Sequence, residues 1–234
     1  MATLYVRSTD GDNADNGTTW ALAKATLVGV AAIDAAGDTI WVSDAHAEST
    51  AAAIAPSWAG TFASPVRILC GDDAAEPPTA LATTATVTTT GASALTIGTS
   101  ASILSHLYVY GIGFSCGTGA AAANLVVNPS TVGVTLERCD LILATTATNS
   151  LINLASTSHS KTILIDCRFK FGATGQSVDS AAGAESIISG GSIITGGSTT
   201  TNFFEDVAGG SHITVEGFDF SNFAATFNIS NTQN

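Results

Sequence analysis

Two tripeptides 28 residues apart, Arg138-Cys139-Asp140 and Asp166-Cys167-Arg168, mirror one another in charge. Carboxylates that converge on one face can divide general acid and base work between them. If the tripeptides lie on adjacent strands, Arg138 stands beside Asp166 and Asp140 beside Arg168. Opposite charges so placed are ordinary ladder pairs, each worth ~0.2–1 kcal/mol. Structural pairing is the expected role. No catalytic set is assigned, and Asp140, Asp166, Arg138 and Arg168 are the residues to mutate first should one exist.

The stretch DGDNADNGTTW, Asp10 to Trp20, invites a calcium reading. A helix–loop–helix calcium loop needs oxygen ligands at its first, third and fifth positions, glycine at the sixth and glutamate at the twelfth. Counted from Asp10, these last three positions hold Ala14, Asp15 and Ala21, so the pattern fails. A polar loop leading into a helix capped by Asn16 or Thr18 fits better. The histidines offer no metal site. His106 and His212 fall four repeat steps apart, roughly 19 Å at one strand spacing per step. His46 and His159 lack a carboxylate or thiolate at ligand spacing. There is no glycine-rich phosphate loop before a helix and no GxSxG. Neither a metal nor a cofactor is expected.

Those residues must be positioned by elements poor in charge. Only 11 % of the 234 residues are charged and 45 % are hydrophobic, with a net charge of −12. The surface is therefore built from Thr, Ser, Asn, Ala and Gly, which suits contact with other subunits. Seven cations spread along so acidic a chain exclude nucleic acid as an expected partner. MATLYVRSTD lacks the apolar core of a signal peptide, and no run of 18 apolar residues predicts a membrane span. Cys70, Cys116, Cys139 and Cys167 have no CxxC spacing and read as buried thiols.

From Trp20 the chain reads WALAKATLVGVAAIDAAGD. Trp20, Ala23, Leu27, Val30 and Ala31 share a face at helical spacing, and Gly37 is a plausible stop. Beyond it lie short runs of Thr, Val, Ile and Gly. Five of them align on one six-residue pattern: 109–114, 136–141, 164–169, 188–193 and 215–220. Their first residues, Val109, Leu136, Leu164, Ile188 and Val215, are expected to form one interior column. A second apolar run precedes the first three copies, near Ile97, Val127 and Ile152, and one near Phe204 plays that part before the fifth; Ile40, Ile68 and Ile97 are also spaced by 28 and 29. Cys139 and Cys167 share a repeat position with Ile112, Gly191 and Phe218, so they should face inward. A fixed step with several short strands per step signals a solenoid, whose turns bury their apolar side only by stacking. The expected fold is all-β: a right-handed parallel β-helix of about seven turns with an N-terminal capping α-helix. Residues 1–38 would form the first strand, loop and cap, and residues 39–234 the helix proper, as one continuous domain.

Residues 5–42, YVRSTDGDNADNGTTWALAKATLVGVAAIDAAGDTIWV, resemble the N-terminal module of pectate-lyase-like parallel β-helix proteins. In that superfamily a first strand, a polar loop and a Trp-containing helix precede a GDTI-type strand. PVRILCG and LYVYGIGF resemble its rung segments. The resemblance implies that Trp20 and Leu27 cap the open end of the core. Many proteins with this module are bacteriophage tailspikes, fibres and other virion proteins. It therefore implies a structural protein of a phage particle, assembled in the host cytoplasm and displayed on the virion as a decoration or tail-fibre-like part. Its partners would be other virion proteins and copies of itself, a trimer being favoured, with a host surface glycan as a further partner. Enzymes of this fold cleave polysaccharide, so a depolymerase or lyase is the alternative, and a non-catalytic glycan-binding module a third. The last would show exposed aromatics along a groove, for which Tyr108, Tyr110 and Trp58 are candidates. The late phenylalanines Phe203, Phe204, Phe218, Phe220, Phe223 and Phe227 either plug the last turn or offer a sticky surface.

Overall fold

The computed structural model describes residues 1–98, 106–128, 133–198, 200, 202–206, 210–223 and 229–231. The chain winds through three parallel sheets in turn. The first contains Thr3–Val6, Thr39–Ser43, Val66–Gly71, His106–Tyr110, Gly133–Glu137, Lys161–Ile165, Glu185–Ser189 and His212–Glu216. The second contains Ala47–Thr50, Ala85–Thr89, Ile112–Gly119, Asp140–Thr145, Arg168–Lys170 and Ser192–Ile193. The third is built of shorter pieces, from Leu95–Thr96 to Ile229–Asn231. This is an all-β parallel β-helix of about six turns rather than seven. The lost turn has a physical cause: residues 72–84 form a loop between Val66–Gly71 and Ala85–Thr89, so one circuit takes 41 residues, from Ile68 to Val109.

The interior column is continuous. Val109, Leu136, Leu164, Ile188 and Val215 are partners in unbroken register. Upstream the column runs through Ile68 and Ile40 to Leu4. Ile97 is not part of it. It follows Leu95–Thr96 on the third sheet, where its N–H donates to the Val126 carbonyl. Strand alternation sends one set of side chains into the core and the next outward, and one core cluster extends from Leu4 to Phe204.

The last five corners out of the first sheet are each turned at one residue with positive φ, whereas the passages from Ser43 to Ala47 and from Gly71 to Ala85 have none. Gly111, Arg138, Asp166, Gly190 and Gly217 occupy equivalent places with φ of 75°, 51°, 51°, 69° and 64°. Three glycines suit the left-handed conformation, and arginine and aspartate are forced into it by the winding.

The N-terminal cap differs from the sequence expectation. In place of one long helix there is a 3-10 turn, Trp20–Leu22, and a five-residue α-helix, Leu27–Ala31. The caps are Thr19 and Thr26, not Asn16 or Thr18; their hydroxyls accept from the N–H groups of Leu22 and Gly29. Between them Lys24 is extended along the edge of Thr3–Val6, donating to the Tyr5 carbonyl and accepting from Arg7 N–H. The segment thus covers an otherwise unpaired sheet edge, which a continuous helix would leave open. Leu27 and Val30 enter the main core. Trp20 does not lie over the core's open end: it packs with Tyr5, Ala23 and Trp41 in a separate cluster. Tyr5 alternates with the core residues Leu4 and Val6, so this cluster sits on the outer side of the first sheet. The loop 72–84 holds it there, Ala75 O accepting from Trp20 Nε1 and the Glu76 carboxylate from Trp20 N–H.

The Asp10–Trp20 loop folds on its own oxygens. Asn13 Oδ1 accepts from the N–H groups of Ala25 and Thr26, Asp12 Oδ1 from Ala14 N–H, and Asn16 Oδ1 from Thr18 N–H. Asp10 pairs with Arg7.

Just after the short helix, Asp34 accepts from Ala59 N–H at 2.9 Å. Burial first, and then the nearby Asp38 charge, push its carboxyl up to about 6 against that hydrogen bond. An acid whose pKa rises on folding binds its proton more tightly in the native state. Its contribution to stability is therefore most favourable below the ordinary carboxyl range and is lost as pH rises from about 4 to about 6. Asp34→Asn keeps an oxygen for Ala59 and removes the charge. At pH 7.5 its melting temperature should exceed the parent's by no more than about 2 °C, because solvent screens a half-buried group. Melts across the acid range should show that gap closing towards pH 4.

Candidate functional site

The first candidate lies at the corner between the first and second sheets. The two mirrored tripeptides do fall on neighbouring turns. Asp140 is the register partner of Arg168. Arg168 Nε and Nη2 each donate to a different Asp140 oxygen at 2.7 Å, a two-pronged pair. Arg138 instead donates to the Tyr110 hydroxyl, 3.3 Å away, while feeling the Asp166 charge. The Asp166 carboxylate leans over Gly190 on the next turn. The four residues therefore do not converge, and Asp140 is neutralised by its partner. The pair is partly exposed, at 55 % for Arg168 and 24 % for Asp140. Its coupling, measured by urea unfolding of Asp140→Ala, Arg168→Ala and the double variant, should be about 0.5–1 kcal/mol. A coupling near zero would mean that the pair contributes no more than solvation of the two ends.

Cys139 and Cys167 face inward and are fully buried. Their thiols donate to strand carbonyls, Cys139 to Glu137 O and Cys167 to Leu136 O, each at 3.4 Å. Burial pushes the Cys139 thiol up, as it does those of Cys70 and Cys116. These are core side chains, not nucleophiles.

A second candidate emerges on the outer face of the first sheet. In His106–Tyr110, Leu107 and Val109 point inward, so His106, Tyr108 and Tyr110 point outward. Tyr110 is 7 % exposed. Tyr108 is half-buried and donates to Glu137 Oε2 at 2.8 Å. Burial first, then the Glu137 carboxylate, push its phenol far up, so it stays a donor at every relevant pH. Arg67 and Thr135 flank Tyr108 in register on either side. The His106 ring leans over Gly133, where any Cβ would meet it at 2.1 Å. Burial lowers the His106 pKa, keeping the imidazole neutral. Against it, edge-on at 4.9 Å and 77°, stands Phe62. Phe62 is 76 % exposed and rides at the tip of a tight turn closed by reciprocal backbone bonds between Thr61 and Ser64. A large aromatic standing in solvent, beside a second ring and a phenol with polar neighbours, can stack on a sugar ring while the flanking groups bind hydroxyls.

Of the aromatics singled out from sequence, Tyr108 belongs to this strip and Tyr110 borders it. Trp58 does not: it is 3 % exposed, part of the core, and its Nε1 donates to Ile97 O at 2.7 Å. Residue Ile54 bridges to Leu95, so 52–58 serve as the third wall of an early turn and carry Trp58 inside. Phe62 was not singled out, since one phenylalanine in a loop carries no periodic signal.

His46 and Glu48 form a site the sequence reading missed. Glu48 lies on the strand Ala47–Thr50 and His46 immediately precedes it, two residues away and on the same inner face. His46 Nε2 lies 3.5 Å from Glu48 Oε2, both side chains being almost wholly buried. That same oxygen accepts from Leu27 N–H at 2.9 Å.

At the far end, Phe203 and Phe204 are buried and Phe218, Phe220 and Phe223 pack partly buried on the core. Phe227 lies outside the described residues.

No protein-family model matches the chain, and no curated protein matches it by sequence. Among solved structures it is similar to a rhamnogalacturonan lyase, at 12 % identity and a TM-score of 0.41, over 91 % of this chain and 62 % of that one. It is also similar to a GH136 lacto-N-biosidase from Eubacterium ramulus, at 9 % identity and a TM-score of 0.21, over 98 % of this chain and 67 % of that one. The chain thus spans less than two thirds of the lyase's length. The parallel β-helix assignment rests on the strand pairing itself, and likenesses this distant carry no statement about activity.

Proposed function

We propose that this chain is a rigid, non-catalytic β-helix that presents a glycan-binding strip, Phe62, His106 and Tyr108, on the outer face of its first sheet. The observation that carries the reading is Phe62, an exposed ring fixed edge-on against His106 at the tip of a hydrogen-bonded turn. A side chain that packs on no core and is nevertheless held in place is suited to pack on a ligand. The setting we propose is a bacteriophage particle, as a surface decoration or tail-fibre-like part in oligomeric form; its support is the resemblance of residues 5–42. Depolymerase action is the lesser reading, because Asp140 is tied to Arg168 and the corner acids do not converge.

A glycan array followed by titration with the best hit tests the strip. Phe62→Ala and Tyr108→Ala should each weaken binding about tenfold with the melting temperature nearly unchanged. Binding that survives both substitutions would sink the assignment. Release of reducing ends or unsaturated sugars, abolished in Asp140→Ala or Asp166→Ala, would favour the enzyme instead. Copy number in purified particles separates the settings: hundreds imply decoration, three or six a tail part, and none removes the virion proposal.

A further inference from the structure

A groove of about 330 Å³ opens where the second sheet turns towards the third, on a different side of the solenoid from the aromatic strip. Its walls are Ile142, Ala144, Lys170, Gly172, Gly197 and Ser198. The walls are rigid for identifiable reasons. Gln176, 1 % exposed, donates its amide to the Thr145 and Ala147 carbonyls and accepts from Gly172 N–H. Ser198 donates through its N–H to Phe171 O and through its hydroxyl to Gly172 O. Gly172 and Gly197 are glycines of necessity: a Cβ would lie 2.2 Å from Thr145 O at the first and 2.8 Å from Phe171 O at the second. Bare backbone therefore lines one wall and the aliphatic Ile142 and Ala144 another.

Lys170 is the charged member of this lining. The chain has seven cations against nineteen acids, yet among the described residues Lys170 makes no ion pair. Two residues earlier on the same strand and the same outward side stands Arg168, whose Nε and Nη2 are held by Asp140. An unpaired ammonium in a neutral, preformed groove favours an oxyanion; an apolar wall and bare peptide groups favour a ring carrying hydroxyls.

We propose that this groove binds one sugar-sized ring bearing a single oxyanion, a carboxylate or a phosphate ester, with Lys170 as the charge partner. The proposal stands independently of the aromatic strip. Saturation-transfer NMR on the full chain, with glucuronate, glucose 1-phosphate, glucose and inorganic phosphate as separate probes, tests it. Either or both of the first two should bind, and which does identifies the source of the charge; glucose and inorganic phosphate should bind about tenfold more weakly or not at all. Lys170→Met keeps the aliphatic stem and should abolish the preference for the charged sugars. Ala144→Trp, at an exposed wall position, should block the groove without touching the core, and an unchanged melt would certify its fold. Equal binding of glucose and the charged sugars, or retention of the preference in Lys170→Met, overturns the proposal. So does undiminished binding in a folded Ala144→Trp.

Discussion

Replacing Phe203 with alanine should lower the unfolding free energy by about 4 kcal/mol, the largest effect of any single truncation at the far end. Phe203 is wholly buried and is the hub of the aromatic plug. Its ring centroid lies 4.6 Å from that of Phe204, 5.4 Å from Phe220, 5.5 Å from Phe169, 5.6 Å from Phe218, 5.7 Å from Phe171 and 5.8 Å from Phe223. Most of these contacts are edge-to-face, the arrangement that adds to simple burial. Removing the hub leaves a cavity that six rings on several turns cannot all collapse into. The partly exposed Phe220 makes the control: its truncation should cost about 1–2 kcal/mol, because solvent fills the space. Urea titration of the two variants, with the slope monitored for loss of compactness, distinguishes them. A Phe203→Ala loss below that of Phe220→Ala would mean that the plug is not centred where the geometry puts it. A second readout is self-association, since loosening the plug exposes the last strand edges.

The plug also marks where sequence reasoning reached and where it stopped. Clustered late phenylalanines pointed to the end of the solenoid, but burial order within the cluster depends on register and could not be read. The column from Val109 to Val215 was legible because each turn repeats the same inward position at a nearly constant step. Ile97 lies on the third sheet, as its place in the second apolar run with Val127 and Ile152 implied; its interval of 29 from Ile68 only imitates the step of the column, because the loop 72–84 interrupts it. The corner glycines Gly111, Gly190 and Gly217 held a further signal. Their shared place implied a left-handed turn, and hence that Arg138 and Asp166 spend their backbone on the corner rather than lie flat beside each other. The helix was overextended because the apolar positions from Trp20 to Ala31 fit helical spacing. Competition from Thr19 and Thr26, and pairing of Lys24 with the sheet edge, are tertiary choices that override a weak local preference.

Glu48→Ala should cost about 3 kcal/mol, although the residue is a carboxylate in an apolar column. Its register partners run inward through Val87, Phe114, Leu141, Phe169 and Ile193. An isolated charge there would be costly to bury. Glu48 is tolerated because it occupies the first rung, where the capping segment supplies a donor. Its Oε2 accepts from Leu27 N–H, at the start of the helix that carries Leu27 and Val30 into the core. Alanine would leave that N–H buried without a partner and open a void beside His46, whose ring nitrogens make no hydrogen bond even with Glu48 in place; both penalties fall on the cap. Glu48→Gln retains an oxygen acceptor and should lose only about 1 kcal/mol. His46→Leu should be near neutral, because an apolar side chain of similar size suits that inner position, where later turns carry Ala85 and Ile112. Hydrogen exchange supplies the reading that mere overall destabilisation would not move: in Glu48→Ala, amides of Leu27–Ala31 and Thr3–Val6 should lose protection before those of the central turns. Uniform loss across the solenoid, or a Glu48→Ala penalty no larger than that of Glu48→Gln, would show that the cap does not depend on this carboxylate.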